Sequence, residues 1–379
     1  MTNRTDSIDL LRGFIMMAMA LDHASAMIGR VHFSELWGVP FHGYPTLGWW
    51  FTRFISHLCA PGFFFLMGMS IVLFASKRQQ SDWDPSRINR YFQKRGGLIL
   101  IFMFFLEFPA WAISMMLQTV APAHPTIMPG SPENGFFLPT SVLYGLGACM
   151  IVGSFLWRLK PWQLLSITGL SFALSWWYIT YSNPYEAFSP WEHFILVPGK
   201  SPGALVIYPI IPWLGITTFG MFWARLLQQL PEKIYALSLI VGLSFIGSFI
   251  LLRWIEWGNF TIASNNDTWI NFFTVVKYPP SIAFALITCG INLVLFFLFS
   301  KLAGQTWLHP VKIFGQTAMF FYIAHLYLYA FIGAAFRAGC TIEIMYLMWA
   351  IGLFILYFIC KWFLAFKRKK PADSLWRMV

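Results

Sequence analysis

The first apolar stretch holds the residues best suited to chemistry. Arg12 and His23 are eleven positions apart, which at 100° per residue returns them to within about 20° of one helix face, separated by about 16 Å along the axis. One groove along that face touches both. A permanently charged guanidinium holds anions, and a neutral imidazole near its ordinary pKa is the usual general base. Asp9 stands three residues before Arg12, the spacing of a helical ion pair that could simply anchor the helix end, and Gly13 lets another backbone come close. Asp22 adjoins His23. It is a candidate to fix the imidazole tautomer, yet it points about 100° away and could serve another partner.

A second stretch, entering from the opposite side, carries Arg53 and His57 on one face, with Pro61 four residues on. The proline should kink this helix and free backbone carbonyls. His23, His57 and His325 fall at similar depth, on the order of 10 Å below the outer surface at about 1.5 Å per residue, so the three rings are expected to converge. Taken singly, each is equally consistent with a packed histidine bonded to a carbonyl. Lys277-Tyr278-Pro279-Pro280-Ser281 opens a later helix, with the prolines as helix starters and Lys277 within reach of the site. Trp37, Trp49, Trp50, Trp191, Trp254 and Trp257 could stack on sugars, although an interfacial belt accounts for most of them. His32, His42, His124 and His193 in the outer loops carry no signal individually.

The elements that must position these groups are membrane helices. With 58% hydrophobic and 11% charged residues, the chain lacks the polar surface to cover a water-soluble globule and needs lipid as solvent. Apolar stretches cover 10–29, 49–75, 96–118, 138–157, 163–182, 206–227, 234–252, 280–300, 313–333 and 344–366. The predicted fold is therefore an all-α polytopic helical bundle of about ten spans, forming a single transmembrane domain over residues 1–379. Ala18-Met19-Ala20 imitates a signal-peptide cleavage site, but the apolar pattern resumes through Ile28 and makes a full span, so no cleavage is expected. With a cytoplasmic N-terminus, 20 of the 26 Lys and Arg residues fall on the inner side, which places both termini in the cytoplasm and the chain in the inner membrane. The net charge of +11 is thus explained by topology, and nucleic acid is not an expected partner. The five scattered cysteines suggest neither a disulfide framework nor a zinc site, and no metal is expected.

Several segments together resemble a known family. Ser7-Ile8-Asp9-Leu10-Leu11-Arg12-Gly13, Leu21-Asp22-His23, His57 through Gly68, Lys277 through Ser281, and Phe320-Phe321-Tyr322-Ile323-Ala324-His325-Leu326-Tyr327 resemble bacterial relatives of heparan-alpha-glucosaminide N-acetyltransferase. The Arg-x10-His spacing is also similar to that of the wider transmembrane acyltransferases that acetylate cell-surface glycans. The resemblance implies transfer of an acetyl or short acyl group from cytoplasmic acyl-CoA to an amine or hydroxyl of an extracytoplasmic sugar or glycan. It implies acetyl-CoA as co-substrate, with Arg12, Asp9, Arg53 and Lys277 on the donor side and His23, Asp22, His57 and His325 as the catalytic set. The pattern departs from the animal enzymes, which place an Asn in the first-helix region and the catalytic His in the following outer loop. Here Asp22-His23 and then His32 occupy those places, and His23 is selected because it lies in the span. The partners so implied are acyl-CoA, a glycan acceptor and membrane lipid, with a homodimer left open. Two other classes compete: a transporter or flippase for a glycolipid or small anion, and a b-type haem protein ligated by His23 and His57.

Overall fold

The computed structural model describes residues 2–33, 35–39, 41, 43–119, 137–184, 186–201, 203–260, 268–371 and 374–378. The chain is an all-α polytopic membrane protein. It runs through α1 (Thr2–Ala24, prolonged by a π-helical turn at Ser25–Gly29), α2 (Leu47–Ser56), α3 (Cys59–Gln79), α4 (Pro85–Phe102, prolonged by a π-helical turn at Met103–Glu107) and α5 (Phe108–Met116). There follow α6 (Val142–Leu156), α7 (Pro161–Thr180), α8 (Pro190–Ile195), α9 (Ile210–Gln229), α10 (Ile234–Trp254) and α11 (Thr268–Phe273). The chain closes with α12 (Ile282–Leu302), α13 (His309–Gln316), α14 (Ala318–Gly333), α15 (Ile342–Arg368) and α16 (Leu375–Met378). Among the described residues, seven helical segments are long and apolar enough to cross a membrane, and α6 and α14 are shorter apolar helices. A small sheet lies between them in the chain: β1 (Phe137–Thr140) pairs in parallel with β3 (Gly203–Val206), and β2 (Gly199–Ser201) pairs antiparallel to β3.

Burial sorts the helices into a centre and a periphery. The α2–α3 segment buries 78% of its apolar window and α1 67%, whereas α10 buries 22% and α15 17%. The outer helices instead expose Phe, Leu, Ile and Trp side chains such as Leu251, Trp254, Phe354 and Trp362, as lipid-facing helices do. The centre is held by close backbone contact. A Cβ built at Gly13 would lie 1.9 Å from the Val311 carbonyl, and one at Gly315 1.9 Å from that of Asp9, so α1 and α13 cross where neither has a side chain. Such small-residue crossings substitute dispersion for the hydrophobic drive that lipid removes.

Two prolines shape the helices around the centre. Pro61 occupies the first turn of α3, where its missing N–H is harmless, but it deprives the His57 carbonyl of a partner. The helix accordingly breaks at His57 and Leu58, one turn before the proline. Pro109 acts likewise on the helix leading into α5. The Phe108 N–H reaches back to the Met103 carbonyl, five residues away, and the resulting π turn carries Glu107 into the interior at 2% exposure.

Substituting Gly315→Ala should force the α1–α13 crossing apart at about 1–3 kcal/mol, the usual magnitude of overpacking. Thermal unfolding in detergent reads this directly, and a melting temperature equal to the parent's would contradict the crossing.

Candidate active site

Two of the three histidines meet. His23 Nδ1 lies 2.7 Å from His325 Nε2, and the rings stack at 4.9 Å with 6° between their planes. His325 Nδ1 is 2.9 Å from the Phe321 carbonyl. That carbonyl can only accept, so the proton of a neutral His325 sits on Nδ1 and its Nε2 presents a lone pair. His23 must then donate from Nδ1, which leaves its own Nε2 unprotonated. The half-buried His23 ring is therefore oriented as a base or nucleophile, with His325 and a backbone carbonyl as its supports.

Asp22 does not fix this tautomer. Its carboxylate accepts from Arg53 and Ser56, each at 2.9 Å, because neighbours on a helix project about 100° apart. Arg53 also grips Glu35 through Nη2 at 2.7 Å and Nε at 3.0 Å, and Tyr44 donates to the same carboxylate at 2.7 Å. His57 belongs to this cluster, not to the histidine pair: its Nε2 is 3.6 Å from Glu35 Oε1 and its ring packs against Phe284. Lys277 is buried beside it, with its ammonium 5.0 Å from the Tyr278 ring and its backbone N–H donating to the Glu35 carbonyl. Arg53 and Lys277 were expected on the donor side with Arg12. They lie at the level of Asp22, ten residues or about 15 Å along α1 from Arg12, and the Arg53 guanidinium is committed to two carboxylates.

At the other end of α1, Arg12 donates to Asp9 at 3.1 Å, to the Gly315 carbonyl at 3.2 Å and to Ser70 Oγ at 3.2 Å. Gln316 holds the second Asp9 oxygen. Arg12 opens onto a cavity of about 260 Å³ whose wall includes Ser70, Arg95, Gln316, Met319 and Lys367. Three cations line this one cavity, an arrangement that can hold an anion. Met319, in the wall of this cavity, stands six residues before His325, about 9 Å along α14.

Sequence reasoning missed Glu35, Glu107, Arg95 and Lys367. Glu107 is an ionisable residue inside an apolar span, the same signal that singled out Asp9 and His23. The two cations had been read as topology charges. Glu35 sits in an outer loop, where an acidic residue gives no hint of burial. Of the outer-loop histidines, His32 is exposed, His193 is buried with Nδ1 on the Val197 carbonyl, and His42 and His124 lie outside the described residues.

The family model described as "Heparan-alpha-glucosaminide N-acetyltransferase, catalytic" matches residues 4–257. The chain belongs to that family. It is accordingly a multi-pass member of the heparan-alpha-glucosaminide N-acetyltransferase family, a family of membrane acetyltransferases. The family match takes in Arg12, His23, Arg53, Arg95 and Glu107 and ends before Lys277 and His325. No curated protein matches the chain.

Burial alone would raise the Glu35 carboxyl, but contact with Arg53 overrides it and holds the group at about 2, below its ordinary 4.5. A depressed carboxyl contributes stability above its unfolded value. This contribution is therefore full above about pH 4.5 and fades as pH falls toward 2. Glu35→Gln leaves the buried Arg53 short of a carboxylate and should cost about 3–5 kcal/mol at pH 7, with a smaller further loss on acidification than the parent shows. Melting curves in detergent across that pH range check both statements, and an unchanged curve would remove the cluster from the stability account.

Proposed function

We propose that the chain moves an acetyl or short acyl group from acyl-CoA to a hydroxyl or amine of a sugar or glycan on the far side of the inner membrane. The observation that carries this reading is the oriented Nε2 of His23 on the same helix face as Arg12. Arg12, Arg95 and Lys367 take the CoA phosphates, and the pantetheine arm follows the cavity past Met319. The thioester then arrives near His23 after a path comparable to the Arg12–His23 separation of about 16 Å.

His23 Nε2 takes the proton from the acceptor hydroxyl or amine while the acceptor atom attacks the thioester carbonyl. The new C–O or C–N bond forms, the C–S bond breaks, and the proton passes to the thiolate to release CoA. As His23 becomes an imidazolium, His325 keeps the ring aligned. The acceptor enters from the Asp22 side, where the buried Arg53–Glu35 cluster braces the outer loop against α2. In this reading both termini are cytoplasmic, following the charge partition. Residues 1–379 act as one domain, because the histidine pair joins the first helix to α14.

The test is release of free CoA from acetyl-CoA by the purified protein over a panel of amino sugars and glycans. His23→Ala should lower acetyl transfer by about 10² to 10⁴ or more while donor binding and detergent stability stay near the parent, and His32→Ala should be much milder. An inactive His32→Ala beside an active His23→Ala would move the reactive group to the outer loop. Arg12→Lys keeps the charge but loses the planar fork, so it should raise the apparent KM for acetyl-CoA more than it lowers kcat. Unchanged donor affinity in a folded variant would remove Arg12 from the donor site.

A further inference from the structure

Glu107 is the acidic group of the interior that neither the ion-pair cluster nor the donor cavity uses. Its carboxyl accepts hydrogen bonds from Ser141 and Tyr322, and Trp111 lies within hydrogen-bonding reach. Two of those three donors touch the reactive imidazole. The Trp111 ring meets His23 edge-on at 5.2 Å and the Tyr322 ring does so at 6.4 Å. Glu107 is therefore one side chain removed from His23, and its partner Tyr322 also packs edge-on against His325 at 5.6 Å. Among the described residues, the ion pairs of the interior engage Asp9, Asp22 and Glu35 but not Glu107. A carboxyl buried to 2% exposure without a cation carries its charge at a cost that its hydrogen-bond donors offset in part, and a positive charge appearing near it offsets more.

Such a charge appears when His23 takes a proton. The other charged and titratable groups around His23 are Asp22 on its own helix, His32 from the outer loop, Arg53 from α2, Lys277 before α12, and His325 and Tyr322 on α14. Asp22 is already bound by Arg53, and Glu35 is matched in the same cluster. Glu107 alone among these carboxyls has no cation of its own.

We infer that Glu107 is a positioning residue that acts through Tyr322 and Trp111, holding the His23 ring in place and compensating the imidazolium formed during acyl transfer. This rests on the acyl-transfer reading above. The π turn before Pro109 is what delivers the carboxyl there, since the extra residue in that turn shifts Glu107 toward the interior.

Glu107→Gln keeps the size of the side chain and removes its charge. It should lower kcat about 10- to 100-fold, the usual effect of removing a group that orients a reactive one, with the KM for acetyl-CoA and the melting temperature near the parent. Glu107→Asp should recover part of kcat. Tyr322→Phe should act in the same direction but more weakly, and the double variant Glu107→Gln/Tyr322→Phe should be no worse than Glu107→Gln alone, because Glu107→Gln already removes the charge that Tyr322 relays. Parental kcat in folded Glu107→Gln overturns the inference, as does a rise in KM with kcat intact. If Glu107→Gln does not fold, Tyr322→Phe carries the same test. A reagent that needs no acyl donor separates this proposal from the activity itself. Diethyl pyrocarbonate labels neutral imidazole through a cationic adduct, so peptide mass spectrometry should find His23 labelled several-fold more slowly in Glu107→Gln. Unchanged labelling overturns the inference whether or not acyl transfer is found, while a parent that releases no CoA overturns the acyl-transfer reading on its own account.

Discussion

A proline inside a membrane helix removes a hydrogen bond that lipid cannot replace, and this constraint organises the centre of the protein. Irregular backbone is tolerated there only where protein groups or a polar interior receive the freed carbonyls. The break at His57–Leu58 and the π turn at Met103–Glu107 both follow from a proline, the first in the most buried segment and the second in one that buries only 28% of its apolar window. A second π turn, Ser25–Gly29, begins two residues after His23 and ends at Arg30, whose left-handed backbone stops the helix. The Arg30 guanidinium then bonds the carbonyls of Gly333, Phe336 and Ser114, tying the outer ends of α1, α14 and α5 together.

Charge balance is the second organising demand. Two cations and two carboxylates, Arg53, Lys277, Asp22 and Glu35, share one buried region at the Asp22 end of α1, so the cluster carries little net charge into the low-dielectric interior. The same Arg53 joins the outer loop, α1 and α2 in one fork. The Asp22 end of α1 is thus held by a matched ion-pair cluster, whereas the Arg12 end opens onto a cavity lined by cations.

Much of this was legible in the sequence. The apolar stretches placed the helices, the eleven-residue spacing put Arg12 and His23 on one face, and the three-residue spacing of Asp9 and Arg12 gave their ion pair. The sequence also ranked His23, His57 and His325 at one depth. It could not set the rotation of one helix against another, and rotation turned His57 toward Glu35 while turning His325 toward His23. Asp22 was read correctly as pointing away from His23, but its partner Arg53 was grouped with the donor residues, although its place on the His57 face already set it at the depth of Asp22. Glu35 was invisible for a different reason: only the contacts of Arg53, Tyr44 and the Lys277–Tyr278 backbone, distant in sequence, enclose it. Glu107 stood in plain view within an apolar span and was passed over.

The histidine pair joins residues 302 positions apart. During synthesis the Asp22–Arg53–Glu35 fork can close as soon as α2 has been inserted, but His23 has no acceptor for its Nδ1 proton until α14 enters the bilayer. The nascent chain therefore acquires its ion-pair brace early and its oriented imidazole almost last, so an incomplete protein carries the fork without the histidine pair.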